Sequence, residues 1–157
     1  MHVKDQKEIR RIMISVNRID GMYYRFAKRI GIKENTLQLF YALSDGMEHS
    51  QKSICDEWLV PRTTINTVVR ECVEGGFVYL KRSPGEKEKM LSLTPKGQEY
   101  ARNLMDELFE CEREAYIAAC NEHGDGFVSA LRCFTDALER SLTDKATFDN
   151  KTKEMQS

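Results

Sequence analysis

The stretch that decides the fold is PRTTINTVVRECVEGG, residues 61–76. Half of its first fourteen residues are β-branched (Thr63, Thr64, Ile65, Thr67, Val68, Val69 and Val73), and propensity alone would make such a run a strand. The spacing of its apolar side chains overrides that. Ile65, Val68, Val69, Cys72 and Val73 fall at i, i+3, i+4, i+7 and i+8, which is the stripe of an amphipathic helix. Pro61 stands at a first-turn position, and Gly75-Gly76 close the helix. The opposite face carries Arg62, Thr63, Asn66, Thr67 and Arg70, where a surface helix usually has Glu and Lys.

The neighbouring segments give this helix a setting. Ile9, Ile12, Met13, Val16, Ile19, Tyr23, Phe26 and Ile30 keep helical spacing over about residues 5–30, and Gly31 ends that first helix. Asn35 or Thr36 is expected to cap a second helix through Leu37, Leu39, Phe40 and Leu43, closed by Asp45-Gly46. His49-Ser50 opens a third with Ser50 as N-cap and Ile54, Cys55 and Trp58 inward. After Gly76 the period changes. Phe77–Leu80 and Met90–Leu93 read as two short strands around a Ser83-Pro84-Gly85 turn with a charged tip, Glu86 to Lys89. Thr94 then caps a helix with Pro95 at its first position, running to about Cys120. The Gly124-Asp125-Gly126 break precedes a last helix bearing Phe127, Leu131, Phe134, Leu138 and Leu142. Residues 143–157 are polar and are expected to fray.

The predicted class is therefore mainly α with a small β-hairpin wing, a winged helix-turn-helix flanked by N- and C-terminal dimerisation helices. The divisions fall at residues 1–35 for the first helix, 36–97 for the winged domain, 98–142 for the last two helices and 143–157 for the polar tail.

A net charge of −1 over 157 residues hides an uneven distribution. Residues 1–59 carry +2, residues 60–97 carry +3 and residues 98–157 carry −6, so a polyanion would meet the middle of the chain. The five cysteines (Cys55, Cys72, Cys111, Cys120 and Cys133) form no C-x-x-C and no zinc-finger spacing with histidine. No metal site, disulfide framework or cofactor is expected. The first residues lack an apolar signal core, and no run of about 18 apolar residues occurs. The reading is a reduced, soluble, cytoplasmic protein without membrane association.

In a winged helix-turn-helix the second helix enters the DNA major groove. Arg binds guanine bidentately, Asn does the same to adenine, and Thr offers a hydroxyl and a methyl to thymine. Arg62, Thr63, Thr64, Asn66, Thr67 and Arg70 are accordingly the base-reading candidates. Lys81, Arg82, Lys87 and Lys89 on the wing, with Ser50, Gln51 and Lys52 at the start of the third helix, are candidates for phosphate. Glu86 and Glu88 dilute the wing's charge.

These residues in this order resemble the MarR (multiple antibiotic resistance regulator) family of bacterial transcription factors. The resemblance rests on the Ser50-led helix, the Pro61-Arg62-Thr63-Thr64-Ile65 helix and its Gly76-Phe77-Val78 exit, and on the Leu93-Thr94-Pro95-Lys96-Gly97 that follows the wing. It covers about residues 5–142. It implies an obligate homodimer, with the first and last two helices interlocked, that binds a pseudo-palindromic operator and usually represses nearby genes. One departure is visible: where the family wing commonly carries Asp-x-Arg, this chain has Gly85 and Lys87, so Lys87 or Lys89 would take the place of the minor-groove Arg. The apolar surplus on the first and last two helices (Tyr23, Phe26, Tyr116, Phe127, Phe134) also argues for a two-fold dimer. Its recognition helices would stand one DNA turn apart, about 34 Å.

Many relatives release DNA when a small aromatic or anionic effector binds. Arg18, Tyr23, Tyr24, Phe26 and Trp58 are the candidates for lining such a cleft. Redox-sensing relatives use a cysteine in the first helix; this first helix has none. No Gly-rich phosphate loop, G-x-S-x-G or H-E-x-x-H is present, and three scattered histidines (His2, His49, His123) support no enzyme chemistry. The competing reading is a winged-helix adaptor that binds protein and not DNA.

Overall fold

The computed structural model describes residues 3–82 and 88–154, with side chains over 4–82 and 88–144. The element order is α1 (Val3–Arg29), α2 (Glu34–Leu43), β1 (His49–Ser50), α3 (Gln51–Trp58), α4 (Arg62–Glu74), β2 (Val78–Lys81), β3 (Met90–Leu93), α5 (Pro95–His123) and α6 (Gly126–Glu154). The fold is mostly helical with one small antiparallel sheet, as the periodicities predict. Gly85 and Lys87, the residues that depart from the family wing, lie outside the described residues, as does the expected Ser83-Pro84-Gly85 turn.

The chain divides into two compact units, Met1–Asp106 and Glu107–Ser157. The core of the first is built around α4. Ile65, Val68, Val69 and Cys72 are all buried, and each fully buried aliphatic side chain contributes about 1.5–3 kcal/mol. They join Leu39, Phe40, Ile54, Leu91 and Met105, none more than 1% exposed. Packing of this stripe, and not propensity, makes residues 62–74 helical. Phe40, Phe77 and Tyr100 form an aromatic triangle with centroid distances of 6.1, 5.1 and 4.7 Å.

The sheet has three strands in the order β1-β3-β2. β2 pairs β3 from Val78 opposite Leu93 to Lys81 opposite Met90. His49 and Ser50, expected only to open α3, add the third strand opposite Leu91 and Met90. Two residues are too few to show an alternation, so the sequence pattern hid them. β2 begins at Val78, one residue later than expected, and the Phe77 carbonyl before it accepts from the Thr94 backbone N–H at 2.9 Å.

The Thr94-x-x-Gly97 segment has a physical reason for each position. The Thr94 hydroxyl oxygen accepts from the Gly97 N–H at 3.0 Å, capping α5, and the same hydroxyl donates to the Gly76 carbonyl at 2.7 Å. Lys96 Nζ donates to the Gly75 carbonyl at 2.7 Å and lies 4.3 Å from the centroid of the Phe77 ring. A Cβ at position 97 would collide with the Phe77 carbonyl oxygen, so only glycine fits. Gly76 takes φ +72°, the left-handed turn out of α4. The start of α5 thereby clamps the exit of α4.

One expectation about a helix end needs correction. α2 begins at Glu34 with Lys33 as N-cap and no side-chain cap bond, so neither Asn35 nor Thr36 caps it. Instead the Lys33 carbonyl accepts from Thr36 and Leu37 N–H at 2.9 and 3.1 Å, and Glu34 places a negative charge on the first turn. The polar residues after Leu142 belong to α6, which runs to Glu154. That segment holds no Gly or Pro after Gly126 and gives the backbone no reason to stop. Ser50 caps α3 as predicted, accepting from Ser53 N–H at 3.0 Å.

Apolar surface is left uncovered in both units. In the first, α1 exposes Ile9, Ile12, Met13, Val16 and Ile19. In the second, Tyr116, Ile117, Phe127, Val128, Leu131 and Leu142 are each at least 40% exposed.

Candidate nucleic-acid interface

The spacing that buries one face of α4 presents the other to solvent. Arg62, Thr63, Asn66, Thr67 and Arg70 are all exposed, while Thr64 is half-buried at the boundary. Among the described residues neither Arg62 nor Arg70 forms an ion pair, although exposed cations elsewhere do, such as Arg11 with Glu8 and Arg113 with Glu110. The Thr67 hydroxyl donates to the Thr63 carbonyl at 3.0 Å, which leaves its methyl and oxygen lone pairs for a partner. Glu71, next to Arg70 in the chain, is held by Lys33 at 2.7 Å.

A cleft of about 400 Å³ joins three elements. Gln51, Lys52 and Cys55 come from α3, Arg62 and Asn66 from α4, and Leu80, Glu88 and Lys89 from the wing strands and their approach. The structure thus brings together base-reading and phosphate candidates that lie up to 38 positions apart in the sequence. Ser50 does not join them. It is 7% exposed and its hydroxyl is spent on the α3 cap. Lys81 faces Glu48 at 3.4 Å, which offsets part of its charge; Arg82 is exposed, and Lys87 is outside the described residues.

A second cleft, of about 580 Å³, lies wholly within the first unit. Ile19, Asp20 and Tyr23 of α1, residues of α2 including Glu34 and Tyr41, and the α3–α4 turn from Trp58 to Pro61 line it. Tyr41 stands edge-on to Trp58 at 5.3 Å and to Tyr23 at 6.5 Å. Of the residues expected here, Tyr23 and Trp58 are present. Arg18, Tyr24 and Phe26 are not on its wall: Arg18 and Tyr24 are exposed, and Phe26 lies under the Arg29 guanidinium at 5.1 Å. Tyr41 was missed, although its position one turn after Leu37 was a legible signal.

No protein-family model and no curated protein sequence matches the chain. Solved structures do. A MarR family regulator from Neisseria meningitidis superposes with a TM-score of 0.74 at 19% identity, covering 92% of this chain and 99% of that one. The chain has the fold of the MarR regulators. A MarR-type structure from Listeria monocytogenes, described as a putative transcriptional regulator complexed with a 26mer DNA, matches with a TM-score of 0.64 at 16% identity over 91% of this chain and 93% of its own. NadR, solved in complex with 4-hydroxyphenylacetate, matches with a TM-score of 0.63 at 16% identity over 81% and 88%. Within this fold α3 and α4 are the two helices of the helix-turn-helix, and α4 is the second.

Proposed function

We infer that this chain is a MarR-family transcriptional regulator: a homodimer that binds a pseudo-palindromic operator through α4 and represses transcription until a small molecule releases it. The observation that carries this is the α4 face, five exposed residues of base-reading type with two arginines that form no ion pair among the described residues, backed by the basic cleft of α3 and the wing. The DNA bound to the Listeria protein of the same fold supports it. The uncovered apolar faces of α1, α5 and α6 support a dimer. The second cleft supports release by a ligand, because its wall includes the turn that leads into α4. No membrane partner enters this reading, and among the described residues no helix is long and apolar enough to cross a membrane.

The test is a titration against the intergenic DNA upstream of its own gene at two salt concentrations, with an Arg62→Ala/Arg70→Ala variant alongside. Specific, salt-sensitive binding that the double variant loses is the expected result. Absence of a specific shift, or equal binding by the variant, sinks the reading in favour of a protein-binding adaptor.

A further inference from the structure

The cleft between α1, α2 and the α3–α4 turn has a chemistry that selects among ligands, and it is not that of an anion site. Its wall supplies a chain of three rings, Tyr23, Tyr41 and Trp58, and two carboxylates, Asp20 and Glu34. No lysine or arginine is on that wall among the described residues. Both carboxylates are exposed, and among the described residues neither has an ion-pair partner. The nearest cation in sequence, Lys33, is turned to Glu71 at 2.7 Å, so that no ion pair neutralises Glu34 among the described residues. An anion placed here would be repelled by two charges and would meet the negative faces of the aromatic rings, whereas a cation is favoured by both.

We propose that this cleft binds a small organic cation with an aromatic or lipophilic body. The body packs against Ile19, Leu37, Val60 and the rings, and the positive centre lies between the ring faces and the Asp20 and Glu34 carboxylates. The sequence names a small aromatic or anionic effector; this proposal keeps the aromatic body and gives it a positive centre. The site is defined by its own binding chemistry and stands whether or not α4 reads DNA.

Trp58 is the single tryptophan of the chain and sits on the cleft wall, so its fluorescence reports occupancy directly. The experiment titrates the full chain, without DNA, with tetraphenylphosphonium and with tetraphenylborate, which share a shape and differ in sign. The phosphonium is expected to change Trp58 emission saturably and to bind at least about tenfold more tightly than the borate. An Asp20→Asn/Glu34→Gln variant, in which both changes are at exposed positions and conserve shape, is expected to lose most of that preference while keeping its helical circular dichroism. A Tyr41→Leu variant is expected to weaken the phosphonium while leaving the sign preference in place. Borate binding as tightly as phosphonium, an unchanged preference in the Asp20→Asn/Glu34→Gln variant, or no response of Trp58 to either ion overturns the proposal.

Discussion

Lys33 Nζ lies 2.7 and 2.8 Å from the two carboxylate oxygens of Glu71, joining the start of α2 to the outer side of α4 across 38 residues of sequence. Both side chains are well exposed, so the pair adds only about 0.2–1 kcal/mol to stability. Its larger effect is on charge: it neutralises the carboxylate next to Arg70. Lys33→Ala is expected to leave the urea midpoint nearly unchanged while weakening DNA binding, and Glu71→Gln to restore it in the double variant. Equal binding by Lys33→Ala and the unaltered protein would show that Glu71 does not face phosphate.

The wing gives a graded electrostatic prediction. Lys89 and Glu88 line the same cleft as Arg62 and Asn66. If Lys89 neutralises one phosphate, Lys89→Ala lowers the slope of log K against log salt by about 0.9. Glu88→Gln is expected to tighten binding at low salt. Opposite signs for the two variants, measured by fluorescence anisotropy, separate a wing that touches DNA from one that does not.

The clamp on the α4 exit is a matter of stability. Thr94→Ala removes the α5 cap and the bond to the Gly76 carbonyl, and is expected to cost about 1–2 kcal/mol in urea unfolding. Gly97→Ala is expected to cost more, because the new methyl has to displace backbone at Phe77.

Thiol chemistry gives the pH prediction. Burial pushes the Cys72 thiol up to about 11 from its ordinary 9.0, with the Glu71 charge adding to the shift. The thiolate, not the thiol, reacts. At pH 8 iodoacetamide is expected to label exposed Cys111 and Cys133 first, and to reach Cys72 only on unfolding. The folded state holds the Cys72 proton more tightly than the unfolded chain does, so its contribution to stability is complete below pH 9 and is lost as the pH rises towards 11.

The apolar faces yield a test of assembly. Val16→Glu on α1 and Leu131→Glu on α6 each place a charge on exposed apolar surface. Each is expected to raise the dimer dissociation constant in sedimentation equilibrium while leaving the helical signal intact. A chain that sediments as a monomer before substitution removes the two-fold operator from the reading.

Much of this architecture was legible in the spacing of Ile65, Val68, Val69 and Cys72, because a helical stripe leaves one way to bury it. Thr94 and Gly97 were legible for a similar reason: their roles are local and steric. Less visible were features set by tertiary contact. β1 exists only because His49 and Ser50 find Leu91 and Met90. The start of α2 is fixed by backbone bonds to Lys33 and not by a capping side chain. At the candidate site the α4 face followed from periodicity and the Ser50 cap from local sequence, but the arrival of Tyr41 beside Trp58 required three dimensions.

The clamp formed by Thr94, Lys96 and Gly97 fixes the exit of α4 by contacts from outside the helix. Its entry at Pro61 has no side-chain cap bond, and it is 13 residues long, or about 20 Å. A rotation of about 10° about the glycine pair would sweep Arg62 through about 3.5 Å, more than the tolerance of a hydrogen bond, while Arg70 would travel a fraction of that distance. Any contact made by Arg62 at the entry is thus far more sensitive to small displacements of the helix than one made near its exit.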